Sequence, residues 1–150
     1  MANLGDLTAA QVIDRLGLEY LNGEGVWIKL IWRSNAGNAI FAMLTRDDYS
    51  ALHRLMEDEL WTHVAGSSID MLLLHPGGRS ETTRIGPGLD DSAYALVPAG
   101  SWQGSSTGGD WALVTCALAP PFSGLELADG STDLTAWHHS AARISELIRG

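Results

Sequence analysis

A mainly all-β fold, a sandwich or barrel with one short helix at each end, is what this sequence predicts, and three observations carry that expectation. Seven short segments rich in Val, Ile, Leu, Thr and Trp recur at intervals of roughly ten residues. Clusters of Gly, Pro, Asn and Asp such as "SNAGN", "HPGGRS" and "STGGD" punctuate them. Apolar residues at helical spacing are confined to the two ends, so the chain lacks the strand–helix alternation of a parallel α/β sheet.

Taken in order, "TAAQVIDRLGL" (residues 8–18) reads as an N-terminal helix. Thr8 and Gln11 have capping-box spacing, in which each side chain satisfies the other residue's free backbone N–H. Val12, Ile13 and Leu16 supply an apolar stripe, and Gly17 suits the left-handed turn that ends a helix. The strands follow: "GVWIKLIWRS" (25–34), "NAIFAMLT" (38–45), "ELWTHVAG" (59–66), "SIDMLLLH" (68–75), "SETTRIG" (80–86), "AYALVPAG" (93–100) and "WALVTCALA" (111–119). Their β-branched and aromatic residues favour extended chain because they pack well on a pleated surface. "HPGGRS" and "STGGD" read as hairpin turns rather than phosphate loops, since neither opens a helix with P-loop spacing. "SGLELADGSTD" (123–133) is the expected flexible stretch. After it, Leu134, Trp137, Ala141, Ile144 and Ile148 alternate spacings of three and four, which predicts one helix over about 133–149 packed on the barrel or on a partner subunit.

The 150 residues suit a single domain, and 45% hydrophobic content is enough for one core. No apolar run is long enough to span a bilayer, and "MANLGDLTAAQ" lacks the basic, apolar, then small-residue order of a secretory signal. The expectation is a cytoplasmic protein with no membrane partner. A net charge of -9 repels phosphate backbones, which argues against nucleic acid. The single cysteine, Cys116, lies in an apolar run with no base near it in sequence and reads as a buried, inert thiol. Six tryptophans provide flat apolar surface for a core or for the wall of a small organic ligand's pocket.

"ALHRLMEDELWTHVAG" (51–66) gathers His53, Glu59, Trp61 and His63, and "VPAGSWQ" follows at 97–103. Together with "EGVWIKLIWRS" and "LVTCALAPPFSGLEL", these stretches resemble the cupin superfamily, and within it the DUF985 or cupin-5 family, from about Leu16 to Leu127. The resemblance implies a double-stranded β-helix barrel (jelly roll) with its core over about 24–127, and a homodimer. His53 matches the first motif histidine, Glu59 the glutamate and Gly66 the glycine, while Leu55 stands at the second histidine. Pro98 and Gly100 match the second motif, whose ligand position holds Gln103. Two further departures are Val26 in place of a second glycine and Leu30 and Ile31 in place of Glu-Thr.

Carried over, the metal-binding pattern leaves His53, Glu59 and Gln103, a poor set for a divalent transition metal because a neutral amide is a weak donor beside imidazole. No cofactor is therefore the expectation, with such a metal as the alternative. Strand alternation places Glu59, Trp61 and His63 on one face, where His63 would supply a further imidazole. A histidine and a glutamate in an apolar, tryptophan-walled cavity are also suited to moving protons, which makes His53 and Glu59 the candidate catalytic pair. Trp61, His63, Gln103, Trp27 and Lys29 are candidate substrate-binding residues, and Arg33, from the family's Tyr-Arg-Ser, is the candidate cation for an anionic group. "EDE" (57–59) reads as a solvated acidic turn apart from Glu59, and His138 and His139 diverge on a helix surface. The function expected is a small-molecule enzyme working by acid–base chemistry, an isomerase, epimerase or cyclase acting on a carbohydrate-like or secondary-metabolite substrate. A non-catalytic binding barrel and a metal-dependent oxygenase or decarboxylase are the alternatives.

Overall fold

The computed structural model describes residues 2–149 and contains two antiparallel sheets facing each other. After a 3₁₀ turn at Leu4–Asp6, α1 (Ala9–Leu16) is followed by β1 (Glu19–Tyr20), β2 (Trp27–Ser34), β3 (Gly37–Thr45), β4 (Ser50–Leu55) and β5 (Asp58–Gly66). Next come β6 (Ile69–Leu74), β7 (Ser80–Ile85), β8 (Tyr94–Val97), β9 (Trp102–Ser106), β10 (Trp111–Ala119) and β11 (Leu125–Leu127). A 3₁₀ segment (Thr135–Ser140) and α2 (Ala141–Glu146) close the chain. One sheet has the order β1-β2-β3-β10-β5-β8 and the other β11-β4-β9-β6-β7, the strand arrangement of a jelly-roll barrel.

Alternation decides which side chains meet between the sheets. Ala42, Trp61, Met71, Leu73, Val114 and Cys116 point inward and form the barrel core. On the outside of the six-stranded sheet, α1 buries Val12 against Met43, Trp111 and Leu113. The capping box forms as the sequence predicts, and Gly17 at φ +67° ends the helix. Beyond α1 the outer face is uncovered, and the cross-strand row Trp32, Ala39, Ala117, Leu60 and Leu96 faces outward with three large apolar side chains exposed.

The C-terminal segment departs from the single helix the periodicity predicts. Trp137 has non-helical dihedrals (φ −113°, ψ 34°), which splits the segment into a 3₁₀ turn and the short α2. Its indole N–H donates to the carbonyls of His75 (2.9 Å) and Arg79 (3.2 Å), so the ring is anchored to the β6–β7 turn and a continuous helix is interrupted there. Ile144 and Leu147 still pack, with Leu52, Leu72 and Trp102, on the outer face of the five-stranded sheet. The stretch expected to be flexible contains β11, which pairs with β4 through Leu125↔Leu55 and Leu127↔His53. "STGGD" links β9 in one sheet to β10 in the other and is not a hairpin turn, whereas "HPGGRS" joins paired strands as expected. Glu57 is buried rather than solvated, because the Ser123 hydroxyl donates to its Oε1 at 2.5 Å.

Leu147 has no exposed surface, and its carbonyl accepts the Leu52 N–H at 2.8 Å. Leu147→Ala should therefore destabilise the fold by about 2–5 kcal/mol through the cavity it leaves. Urea unfolding measures this, and a change below about 1 kcal/mol would mean that the C-terminal segment is not part of the core.

Candidate functional site

His53 on β4 and Gln103 on β9 are directly paired, and Glu59 on β5 faces them from the opposite sheet. The His53 Nδ1 lies 2.7 Å from the Ala51 carbonyl oxygen. A carbonyl only accepts, so Nδ1 carries a proton and Nε2 is the ring nitrogen left for other partners. Nε2 faces Glu24 Oε1 at 3.6 Å. Sequence reasoning missed Glu24, which sits in the turn before β2, and the signal was the glutamate that opens "EGVW". Its position is fixed twice, by the Ser50 hydroxyl donating to Oε1 (2.8 Å) and by its carbonyl accepting the Ala51 N–H (2.9 Å). Gly25 follows at φ +94°, and any Cβ there would collide with the Arg149 guanidinium.

Glu59 is 6% exposed. The Trp61 indole donates to its Oε1 at 3.0 Å and the Gln103 amide at 2.9 Å, while the indole also donates to Gln103 Oε1 at 3.1 Å. Burial is the main influence on its acidity and raises it. His53 opposes that effect, Glu24 adds to it, and the Gln103 and Trp61 hydrogen bonds oppose it, so that Glu59 holds its proton above the ordinary carboxylate range. Cys116, paired across the ladder with Trp61, is buried as expected, and burial pushes its thiol well up.

Glu24, His53 and Glu59 open onto one cavity of about 320 Å³, at the small end of the usual ligand-pocket range. Its walls include Ile28, Leu30, Ile40, Leu55, Leu118 and Leu125, and Arg33 and Asn38 complete the polar part. Arg33 faces inward because of a bulge. Leu30 pairs with Ile40 and Trp32 with Ala39, so Ile31 is an extra residue that resets the alternation, turning Trp32 outward and Arg33 inward.

The structure thus brings His53, Glu59 and Arg33 to one cavity, with Trp61 and Gln103 directly behind Glu59. It does not bring His63, Trp27 or Lys29 there. His63 is four residues along β5 from Glu59, about 13 Å, and its Nε2 lies 3.0 Å from the Ser67 carbonyl at the far end of the barrel. Trp27 and Lys29 face outward, where the Trp27 indole donates to Asp48 (2.9 Å) and the Lys29 ammonium lies over the C-terminus of α1 at Gly17. His138 and His139 are on the surface, His139 Nε2 2.8 Å from the Ser80 hydroxyl.

The donor set does not fit a transition metal. Gln103 turns its carbonyl oxygen to the Trp61 indole, Leu55 stands where a second imidazole would be needed, and Glu59 Oε1 already accepts two hydrogen bonds. Among the described residues no three His, Cys, Asp or Glu side chains converge as a metal site. Nor is any helix among them long and apolar enough to cross a membrane.

A double-stranded β-helix barrel with one polar-floored cavity defines the class, that of the cupins. The chain belongs to the Cupin superfamily (DUF985) family, whose model matches residues 10–128. It is similar to a protein from Shewanella oneidensis, with TM-score 0.88 and 28% identity over 95% of this chain and 98% of that one. A hypothetical protein from Leishmania major has TM-score 0.87 and 22% identity over 96% and 100% of the two chains. The DMSP lyase DddQ from Ruegeria pomeroyi shares the fold at TM-score 0.60 and 13% identity, over 85% of this chain and 70% of that one. No curated protein matches the chain.

Glu59 makes a stability prediction with a definite sign. Its folded value lies above the ordinary 4.5, so the folded chain holds this proton more tightly than the unfolded chain does. The associated stability is complete below 4.5 and is lost as pH rises through the raised folded value. Glu59→Gln stays neutral and lacks that loss, so its unfolding free energy should gain on the wild type's as pH rises from about 4 toward 7. Urea unfolding of both chains across that range is the measurement, and a difference that stays flat with pH would contradict it.

Proposed function

We propose that this cupin is a small-molecule enzyme acting by acid–base chemistry, as an isomerase, epimerase or cyclase. The observation that carries the proposal is the pairing of an imidazole whose Nδ1 is tied to the Ala51 carbonyl and whose Nε2 has Glu24 at 3.6 Å with a carboxyl group that favours its proton, in one small apolar cavity. In this scheme His53 Nε2 takes a proton from the substrate and the Glu59 carboxyl gives one at a second position. The imidazolium so formed has Glu24 beside it at 3.6 Å, and that carboxylate stabilises the charge as it develops. Net transfer of one proton off and one on leaves a rearranged substrate, and exchange with solvent at the cavity mouth resets both groups.

The apolar walls support the same reading, because they exclude competing water and keep the two groups from being levelled by solvent. Cupin barrels house catalysts such as the DMSP lyase named above, which is an analogy of fold alone.

Deuterium incorporation tests the proposal. Wild-type protein incubated in D₂O with a panel of small ketones, sugars and oxo acids should wash out the C–H signal of at least one of them, read by proton NMR. His53→Gln and Glu59→Gln should each slow that exchange by about 10²-fold or more, with the double variant little slower than either. Compounds that bind without any exchange would instead make the protein a ligand-binding barrel.

A further inference from the structure

We propose that the cavity takes a small monocarboxylate lengthwise, its carboxylate held at the rim by Arg33 and the Asn38 amide and its apolar chain running inward toward His53 and Glu59.

The cavity has two unlike poles. Its floor holds two carboxyl groups, Glu24 and Glu59, beside His53. At the rim is its one cation, Arg33, and among the described residues that guanidinium forms no ion pair although the chain carries a net charge of -9. The one hydrogen bond of the guanidinium is a long 3.4 Å contact to the Phe122 carbonyl, which a carboxylate displaces easily. Asn38 is the cross-strand partner of Arg33 and is 2% exposed. Its Oδ1 accepts the Phe122 N–H at 2.6 Å, which fixes the orientation of the amide and leaves the NH₂ end for the cavity. A guanidinium and an amide NH₂ side by side on adjacent strands offer several N–H donors to one anion and no acceptor that would repel it.

The same ladder sets the length. Arg33, Asn38, Leu118 and Glu59 lie in one transverse row through the pairs Arg33↔Asn38, Asn38↔Leu118 and Leu118↔Glu59. Three strand spacings separate the first residue from the last, about 14 Å along the sheet. Arg33, Leu118 and Glu59 all line the cavity, so the extended ligand lies along the Leu118 wall between the other two. A second carboxylate at the inner end would meet the Glu24 carboxylate and be repelled. The ligand class is therefore a monoanion with an apolar body, and its reacting carbonyl or hydroxyl group lies at the end away from the carboxylate. Only that last clause rests on the acid–base reading; the anion-holding rim does not.

Calorimetry on the full chain with hexanoate, hexanamide and adipate tests the proposal. Hexanoate should bind about tenfold or more tightly than hexanamide, its neutral isostere, and also more tightly than adipate. Arg33 is exposed and its replacement leaves the core intact, so Arg33→Gln should abolish the preference for hexanoate while leaving hexanamide affinity unchanged. Glu24→Gln should strengthen adipate binding and leave hexanoate within about twofold. Equal binding of hexanoate and hexanamide, a preference that survives Arg33→Gln, or adipate binding as tightly as hexanoate would each overturn the proposal. Deuterium exchange is scored separately, so a failed rim and a failed proton relay give different results.

Discussion

The barrel is organised around a buried carboxyl group that ties its two sheets together. Glu59 and Trp61 come from β5 in one sheet and Gln103 from β9 in the other; of the three hydrogen bonds among them, the two that Gln103 makes cross the interior. Leaving a carboxylate in such a place without partners costs several kcal/mol, while each hydrogen bond to a charged group returns about 1.5–3. The trio also sets where the cavity stops. Trp61 is almost fully buried, and beyond it Met71, Leu73 and Val114 fill the barrel as solid core. One half of the barrel is therefore packed and the other open, with Glu59 at the boundary between them.

That boundary position explains the electrostatics. Burial raises the pKa of Glu59 above the ordinary carboxylate range, yet the group faces the cavity and His53. The neighbouring groups are held by backbone rather than by chance. The Ala51 carbonyl fixes the His53 tautomer, and the Ala51 N–H and Ser50 hydroxyl fix Glu24. The Arg149 guanidinium packs against Gly25 and over the Tyr49 ring at 3.9 Å, donating to the Tyr49 carbonyl, so the C-terminal segment backs the turn that carries Glu24.

Strands with a dense run of β-branched, aromatic or large apolar residues were legible in the sequence, whereas β1, β4, β9 and β11 were missed. In β4, Ser50 to His53 are all buried, since the cavity covers one face and the C-terminal segment the other, so no period of two is visible. β9 carries no apolar strand signal because Gln103 and Ser105 serve the interior, and because Gly104 leaves room for the close approach of Leu147. The site divides the same way. His53, Glu59 and Gln103 were found through motif spacing, and Arg33 through the motif as well, although its inward direction depends on the Ile31 bulge. Glu24 and Asn38 were missed because a turn glutamate and a strand-end asparagine become site residues only when β2, β3 and β4 close around the cavity. His63 misled because alternation gives the face of a strand and says nothing of position along the barrel axis.

Four departures from the pattern that the family resemblance supplied bear on the site. Leu55 replaces an imidazole, Gln103 stands at a ligand position, and Leu30 and Ile31 stand where Glu-Thr is the rule. Leu30 and Leu55 both line the cavity, so two potential donors have become wall, and Gln103 is turned to Trp61 and Glu59 instead of to the open space. Ile31 is exposed and does not line the cavity. Leu30 and Leu55 lower the polarity of the wall, which strengthens the interactions among Glu24, His53 and Glu59 and favours the protonated form of Glu59. Glu24, His53 and Glu59 remain together in a wall that is otherwise mostly apolar, where the first two bear more strongly on the acidity of the third.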